Sequence, residues 1–346
     1  MPLTETPPTT AEPVPIHHLG PQDVEAYAAG CALLGSGGGG DVGAAALLLR
    51  RTLGERGPLQ VVRPGDLPED TLVCFAGAVG SPTVMLERLP GDREFGLAVT
   101  ALRERLGRPI GAVAPLEIGG VNGLLGLVAP AHLGLPALDV DAMGRAFPRL
   151  DLTVLADRVP ATPAVLATSS GGTILLDRLD AATLEQAVRG LLPAVGTWAA
   201  VALHSCTVAE AARYAVPGSI SRALSVGSAA GPAPGRRPVG AGTVVQVRRD
   251  GASRGGVLTL DLDEDAGVLR VDFSDEHVLA VHDGMPVAWA PDIIALVDER
   301  TGRAVTVDAL RPGQHLTLSV LPAPAAVAQR ADLLGPAAYG LLGWDE

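Results

Sequence analysis

Four consecutive glycines interrupt the stretch "CALLGSGGGGDVGAAALLLRR" at residues 31–51. Inside a helix or strand each glycine costs about 0.5–1 kcal/mol relative to alanine, so a packed element does not accumulate them. Something must approach this backbone so closely that side chains are excluded. Asp41 follows at an N-cap position, and "VGAAALLLRRTLG" after it has helical composition, ending at Gly54. Backbone N–H groups at the start of such a helix suit an oxyanion, a phosphate or a planar polar ring. No Lys-Ser/Thr follows, so this is not a Walker A loop. A GxGxxG pattern inside a glycine run is trivial. The alternative is a tight helix–helix turn built on left-handed glycines.

The neighbouring segments alternate. "PQDVEAYAAGCAL" (21–33), "REFGLAVTALRERLG" (93–107) and "NGLLGLVAPAHLG" (122–134) predict helices. "LQVVRP" (59–64), "TLVCFAGAVG" (71–80) and "PIGAVAPLEIGG" (109–120) predict buried strands, and "LPALDVDAMGRAFP" (135–148) a strand running into a polar loop. The expected fold class is therefore α/β. It has an N-terminal layered domain with a mostly parallel or mixed sheet over residues 19–165, preceded by a disordered arm at 1–18. Beyond 165 the texture changes. "LATSSGGTILLD" reads as strand, turn, strand; residues 180–214 read as helical; "AAGPAPGRRP" (229–238) reads as a linker. Short Val/Leu/Thr strands recur over 239–321. The expected C-terminal domain, 166–346, is thus mainly β, barrel- or sandwich-like, with a few helices.

Composition excludes several classes. The formal net charge is −12 and every basic residue is arginine, a balance that disfavours nucleic acid and anionic membranes as partners. Three widely spaced cysteines, Cys31, Cys74 and Cys206, contain no CxxC and no zinc spacing. No charge-free apolar run is long enough for a membrane span, and the Pro/Thr-rich start is not a signal peptide. A cytoplasmic location is expected.

Three loops are placed at the ends of strands in the first domain, where an α/β sheet holds its ligands. They are Gly35–Asp41, Glu117–Gly123 and Asp139–Pro148. Gly37, Gly38, Gly39, Gly40 and Asp41 are candidate ligand contacts. Glu117, beside two glycines and Asn122, is a candidate carboxylate aimed into the crevice. Asp139 and Asp141 are two apart and so share one face of an extended strand. They are set to share a proton, to bind a divalent cation such as Mg²⁺ or Ca²⁺, or to split acid and base roles. Arg145 pairs with them or with an anionic ligand. Cys31 reads as a core residue, His17 and His18 as incidental, and His277 and His282 as surface turn residues. His204, Ser205 and Cys206 show no partner for nucleophilic catalysis.

Together "CALLGSGGGGD", "APLEIGGVNGLLGL" and "LPALDVDAMGRAFP" resemble the signature blocks of the DUF917 family, the S-methyl thiohydantoin desulfurase family. "VPGSISRAL", "FSDEHVLAV", "APDIIALVDERTGRAVTVDALRPGQ" and "LLGPAAYG" are similar to its C-terminal half. The resemblance covers about residues 20–340 and implies a hydrolase acting on a hydantoin-like cyclic amide. In the named reaction an S-methyl thiohydantoin releases methanethiol. It also implies an association with hydantoinase and oxoprolinase enzymes. Hence a second reading is a non-catalytic partner subunit of such an enzyme. Assembly as a homo-oligomer is expected. In the hydrolase reading Glu117 or Asp141 is the base on water, Arg145 counters negative charge, Asn122 orients the ring and the glycine amides hold an oxyanion.

Overall fold

The computed structural model describes residues 14–228, 235–250 and 255–339. Most of the expected arm (1–13) and of the linker (229–234) lie outside the described residues.

The strand Leu72–Gly80 is apolar throughout because both of its faces are covered. Cys74, Ala76 and Ala78 enter one core with the helices Val24–Leu34, Gly43–Arg56, Arg93–Leu106 and Val121–Leu133. Val73, Phe75 and Val79 enter another on the opposite face. This strand is central in an eight-stranded mixed sheet. The order is His18–Leu19, Leu59–Val62, Ala137–Leu138, Ala112–Pro115, Leu72–Gly80, Trp198–Thr207, Ala164–Ala167, Thr173–Leu176. The four strands from Leu59–Val62 to Leu72–Gly80 run parallel and the rest pair antiparallel.

Several expectations change here. The sheet does not stop near residue 165, because one of its strands spans that point and two more lie beyond it. Residues 180–214 are not helical throughout: the helices Ala181–Val195 and Val208–Tyr214 flank the ten-residue strand Trp198–Thr207. "WAAVALHSCT" has no polar alternation because both its faces are buried, so its Ala/Leu content imitates a helix. Its register slips opposite Val73 and Phe75, with His204 at φ +48°. This bulge places both Leu203 and Cys206 on the same core. His18 is no loose arm residue, since it pairs with Gln60 at the sheet edge. The helix after the glycine loop runs past Gly54 to Arg56, and its N-cap is Val42; Asp41 still accepts the Gly43 N–H at 2.7 Å.

The C-terminal unit is an antiparallel eight-stranded sheet drawn from Arg237–Leu321. Residues from most of its strands converge on one core, including Val244, Leu258, Val271, Leu296 and Leu318. Two units are thus present, α/β and all-β. Short helices, Ala325–Ala328 and Ala331–Leu334, follow.

The helix Ser219–Ser228 crosses Val24–Leu34 through glycine. A Cβ on Gly30 would overlap the Ala223 carbonyl, and one on Gly227 the Ala26 carbonyl. Backbone cannot yield as a flexible side chain can. Gly227→Ala is therefore expected to destabilise the protein by about 1–3 kcal/mol in urea unfolding. Gly54→Ala is exposed and meets open space; it is expected to be neutral or stabilising by up to about 1 kcal/mol.

Candidate functional site

The glycine loop joins two helices and does not follow a strand. It is the junction of three parts of the molecule. Its Ser36 is buried, and its hydroxyl accepts the Ile294 N–H at 3.0 Å and lies within donating distance of the Ile294 carbonyl, 3.2 Å. The Ser36 carbonyl accepts the His277 N–H at 2.7 Å, and the Gly37 carbonyl accepts the Val307 N–H at 2.9 Å. The all-β unit is thereby stitched to the loop. A Cβ on Gly37 would strike the His277 ring, and one on Gly38 the Glu276 side chain. On the other side Gly39 faces Gly120, whose Cα lies 2.7 Å from where a Gly39 Cβ would stand. The Val121 N–H donates to the Gly39 carbonyl at 2.8 Å. Side chains are excluded by the protein's own packing, by side chains at Gly37 and Gly38 and by backbone at Gly39.

Gly37–Gly40 also line a cavity of about 330 Å³ between the two units. Its floor is Glu117, with Asn122, Phe147 and the end of the central strand at Ala78–Ser81 beside it. Ser274, Asp275, Glu276, Thr306, Asp308 and Arg249 close it from the all-β unit.

Glu117 follows the strand Ala112–Pro115 and is 5% exposed. Oε2 accepts the Asn122 side-chain amide at 2.8 Å, and Oε1 accepts the Phe147 N–H at 2.8 Å. Asn122 is itself fixed, for its Oδ1 accepts the Ala78 N–H at 2.7 Å. Burial pushes the Glu117 carboxyl up to about 7, against the opposing pull of those two donors. A carboxylate so placed titrates near neutrality at the edge of a cavity, as a proton acceptor must.

The other candidates sit elsewhere. Asp141 is fully buried and does not line the cavity. Its Oδ2 accepts the N–H groups of Ile118, Met143 and Gly144 at 2.9, 3.1 and 2.7 Å; its Oδ1 accepts the Ser219 hydroxyl at 2.6 Å. Burial raises it to about 6. Four donors leave it no room to take a proton from water, so it is a structural knot. Asp139 does not share a site with it. Its oxygens accept Ile220 N–H (2.7 Å), Ser221 N–H (3.1 Å) and the Ser221 hydroxyl (2.6 Å), fastening the helix Ser219–Ser228. Carboxylates saturated by N–H and O–H donors do not fit a metal ion, so the Asp-x-Asp cation reading is set aside. Among the described residues no group of three or more His, Cys, Asp or Glu is arranged to hold one.

Arg145 is also fully buried. Its guanidinium donates to the carbonyls of Asp292 (2.7 Å), His277 (3.3 Å) and Ala146 (3.2 Å), and packs over the Phe147 ring. It faces the all-β unit, not the cavity. Asp41 is exposed and outside the cavity.

The histidine expectations also change. His277 is no surface residue but fully buried, with Nδ1 2.9 Å from the Ile294 carbonyl; Nδ1 therefore carries the proton, and burial lowers the ring to about 4. Cys31 is a core residue whose thiol burial pushes up. The walls supplied by the all-β unit and by Glu185 and Arg189 were not singled out in the sequence. The acidic pair in "FSDEHVLAV" was their one visible signal.

Among the described residues no helix is long and apolar enough to cross a membrane. No curated protein matches the chain. A crystal structure of a protein from Chromobacterium violaceum is similar to it, with 26% identity and a TM-score of 0.77 over 95% of this chain and 98% of that one. Residues 22–178 match the model of the S-Me-THD-like N-terminal domain, and residues 179–345 that of the S-Me-THD-like C-terminal domain. With both of these domains matched end to end around the glycine-and-glutamate cavity, the chain belongs to the S-Me-THD-like family.

Proposed function

We propose that the protein is a hydrolase of a hydantoin-like ring, and that S-methyl thiohydantoin hydrolysis is its reaction. The observation that carries this reading is Glu117: a buried, doubly hydrogen-bonded carboxylate, raised to about 7, on the wall of a cavity beside glycine amides. In the reaction Glu117 takes a proton from water as its oxygen attacks the ring carbon bearing sulfur. The C–S bond then breaks and the carbon becomes a carbonyl; the proton taken by Glu117 leaves with sulfur as methanethiol, and the second water proton ends on the ring nitrogen that had been double-bonded to that carbon. A thiolate leaves readily, so the site is not asked for a strong general acid. The amides of Gly39 and Gly40 donate to no described residue and suit a ring oxygen or the developing negative charge. Asn122 acts by holding Glu117, in place of the ring-orienting role expected for it. Arg145 fixes the wall that Phe147 presents.

Glu117→Gln is expected to cut kcat/KM for thiol release by about 10²–10⁴-fold, the usual worth of a general base, with an unchanged circular dichroism spectrum. Wild-type turnover in that variant would sink the assignment. The deprotonated form is the active one, so kcat/KM should rise with pH through about 7 and then level. Replacing Asn122 by Leu removes a donor that favours the carboxylate, so the rising limb should move to higher pH.

A further inference from the structure

The loop that carries Glu117 and the loop that supplies one of its two donors are separate pieces of chain, and one side chain joins them. Asp141 Oδ2 accepts the N–H of Ile118, the residue after Glu117, at 2.9 Å. The same oxygen accepts the Met143 and Gly144 N–H groups at 3.1 and 2.7 Å. Further along that second loop, the Phe147 N–H donates to Glu117 Oε1. Oδ1 takes the Ser219 hydroxyl at 2.6 Å, which ties both loops to the start of the helix Ser219–Ser228. Ile118, Met143 and Gly144 are all buried, so their N–H groups would be costly to leave unpaired.

The same placement has an electrostatic effect. Asp141 is fully buried and bonded to the peptide that follows Glu117, where charge is poorly screened. A like charge there favours the form of Glu117 that carries a proton. Burial is the largest influence on Glu117 and its two donors oppose it; Asp141 acts with burial, and the Arg145 guanidinium acts against it. Tyr339 is also within electrostatic reach. Across the cavity stand Asp275, Glu276, Asp308 and Arg249 of the all-β unit, with Arg149, Glu185 and Arg189 on the wall beside them. All of these stay in place when Asp141 alone is changed, so its share can be read separately.

We propose that Asp141 is a positioning residue for the reaction assigned to Glu117: by bonding both loops at once it holds the Glu117 carboxyl against the Phe147 N–H, and its buried negative charge makes that carboxyl a stronger base. This rests on the hydrolase reading above. Asp141→Asn separates the two parts. The amide oxygen keeps the three N–H donors. The amide N–H then donates to the Ser219 hydroxyl, which turns its own hydrogen to the Val216 carbonyl 2.9 Å away. The geometry is kept and the charge is lost.

In the full-length variant the rising limb of kcat/KM for thiol release should move to lower pH by about one unit. The plateau of kcat should fall about two- to tenfold, because a weaker base is slower, while KM stays as in wild type. The same downward shift should appear without substrate in the titration of the Glu117 carboxyl, followed by carbon NMR on protein labelled in its glutamate carboxyls, with Glu117→Gln giving the assignment. An unmoved carboxyl titration would overturn the proposal. So would a lower Tm with the limb unmoved, which marks a strut alone. Should the variant not fold, wild type decides, because coupled carboxyls titrate together. The Glu117 resonance should then move in two steps, the lower at about 6, where Asp141 ionises; a single step would overturn the coupling. If wild type releases no thiol while the carboxyl titration shifts as expected, the hydrolase reading falls and the coupling stands.

Discussion

The close approach of two backbones, Gly39 against Gly120, governs the rest of the molecule. It lets the loop before one helix lie on the start of another, with the Val121 amide bonded across the contact. The same short loop offers the Ser36 and Gly37 carbonyls to His277 and Val307 of the all-β unit. Residues far apart in the chain therefore meet over a few peptide units. The cavity is the space left where this three-way junction cannot close completely. A larger residue at Gly37, Gly38 or Gly39 would disturb the wall and the seam between units together.

Three buried carboxylates near that junction have different fates, and the number of donors around each accounts for it. Asp141 gathers four and Asp139 three, all from backbone and serine groups that need acceptors where water is absent. Glu117 receives two and keeps a side toward the cavity. Burial raises all three carboxyls, and the donors around each oppose that rise.

Much of this architecture was legible in the chain. Helix starts and stops around Val24–Leu34, Arg93–Leu106 and Val121–Leu133 follow from apolar spacing and from Gly107 and Gly134 at their ends. Glu117 was legible because glycine beside a charge after a strand has few structural uses, and the loop because a packed element does not accumulate four glycines. The aspartate pair misled because a two-residue spacing says which face a side chain takes, not which donors meet it. Their partners, Ser219, Ile220 and Ser221, lie about eighty residues away. The place of the acidic wall at Asp275 and Glu276 was hidden for the same reason: only the docking of the all-β unit brings it to the cavity. The buried strand Trp198–Thr207 was hidden because periodicity vanishes when neither face sees water.

That strand has a consequence for how the chain is made. It is inserted antiparallel between Leu72–Gly80 and Ala164–Ala167, at the heart of the sheet. During synthesis the parallel half emerges first, complete at Leu138 and carrying an apolar edge whose partner strand ends only at Thr207. Until the ribosome delivers that partner, the edge is a template for other chains. Such non-local pairing is intrinsically slow, so early release or truncation before residue 198 would leave the nascent protein open to aggregation and dependent on chaperones.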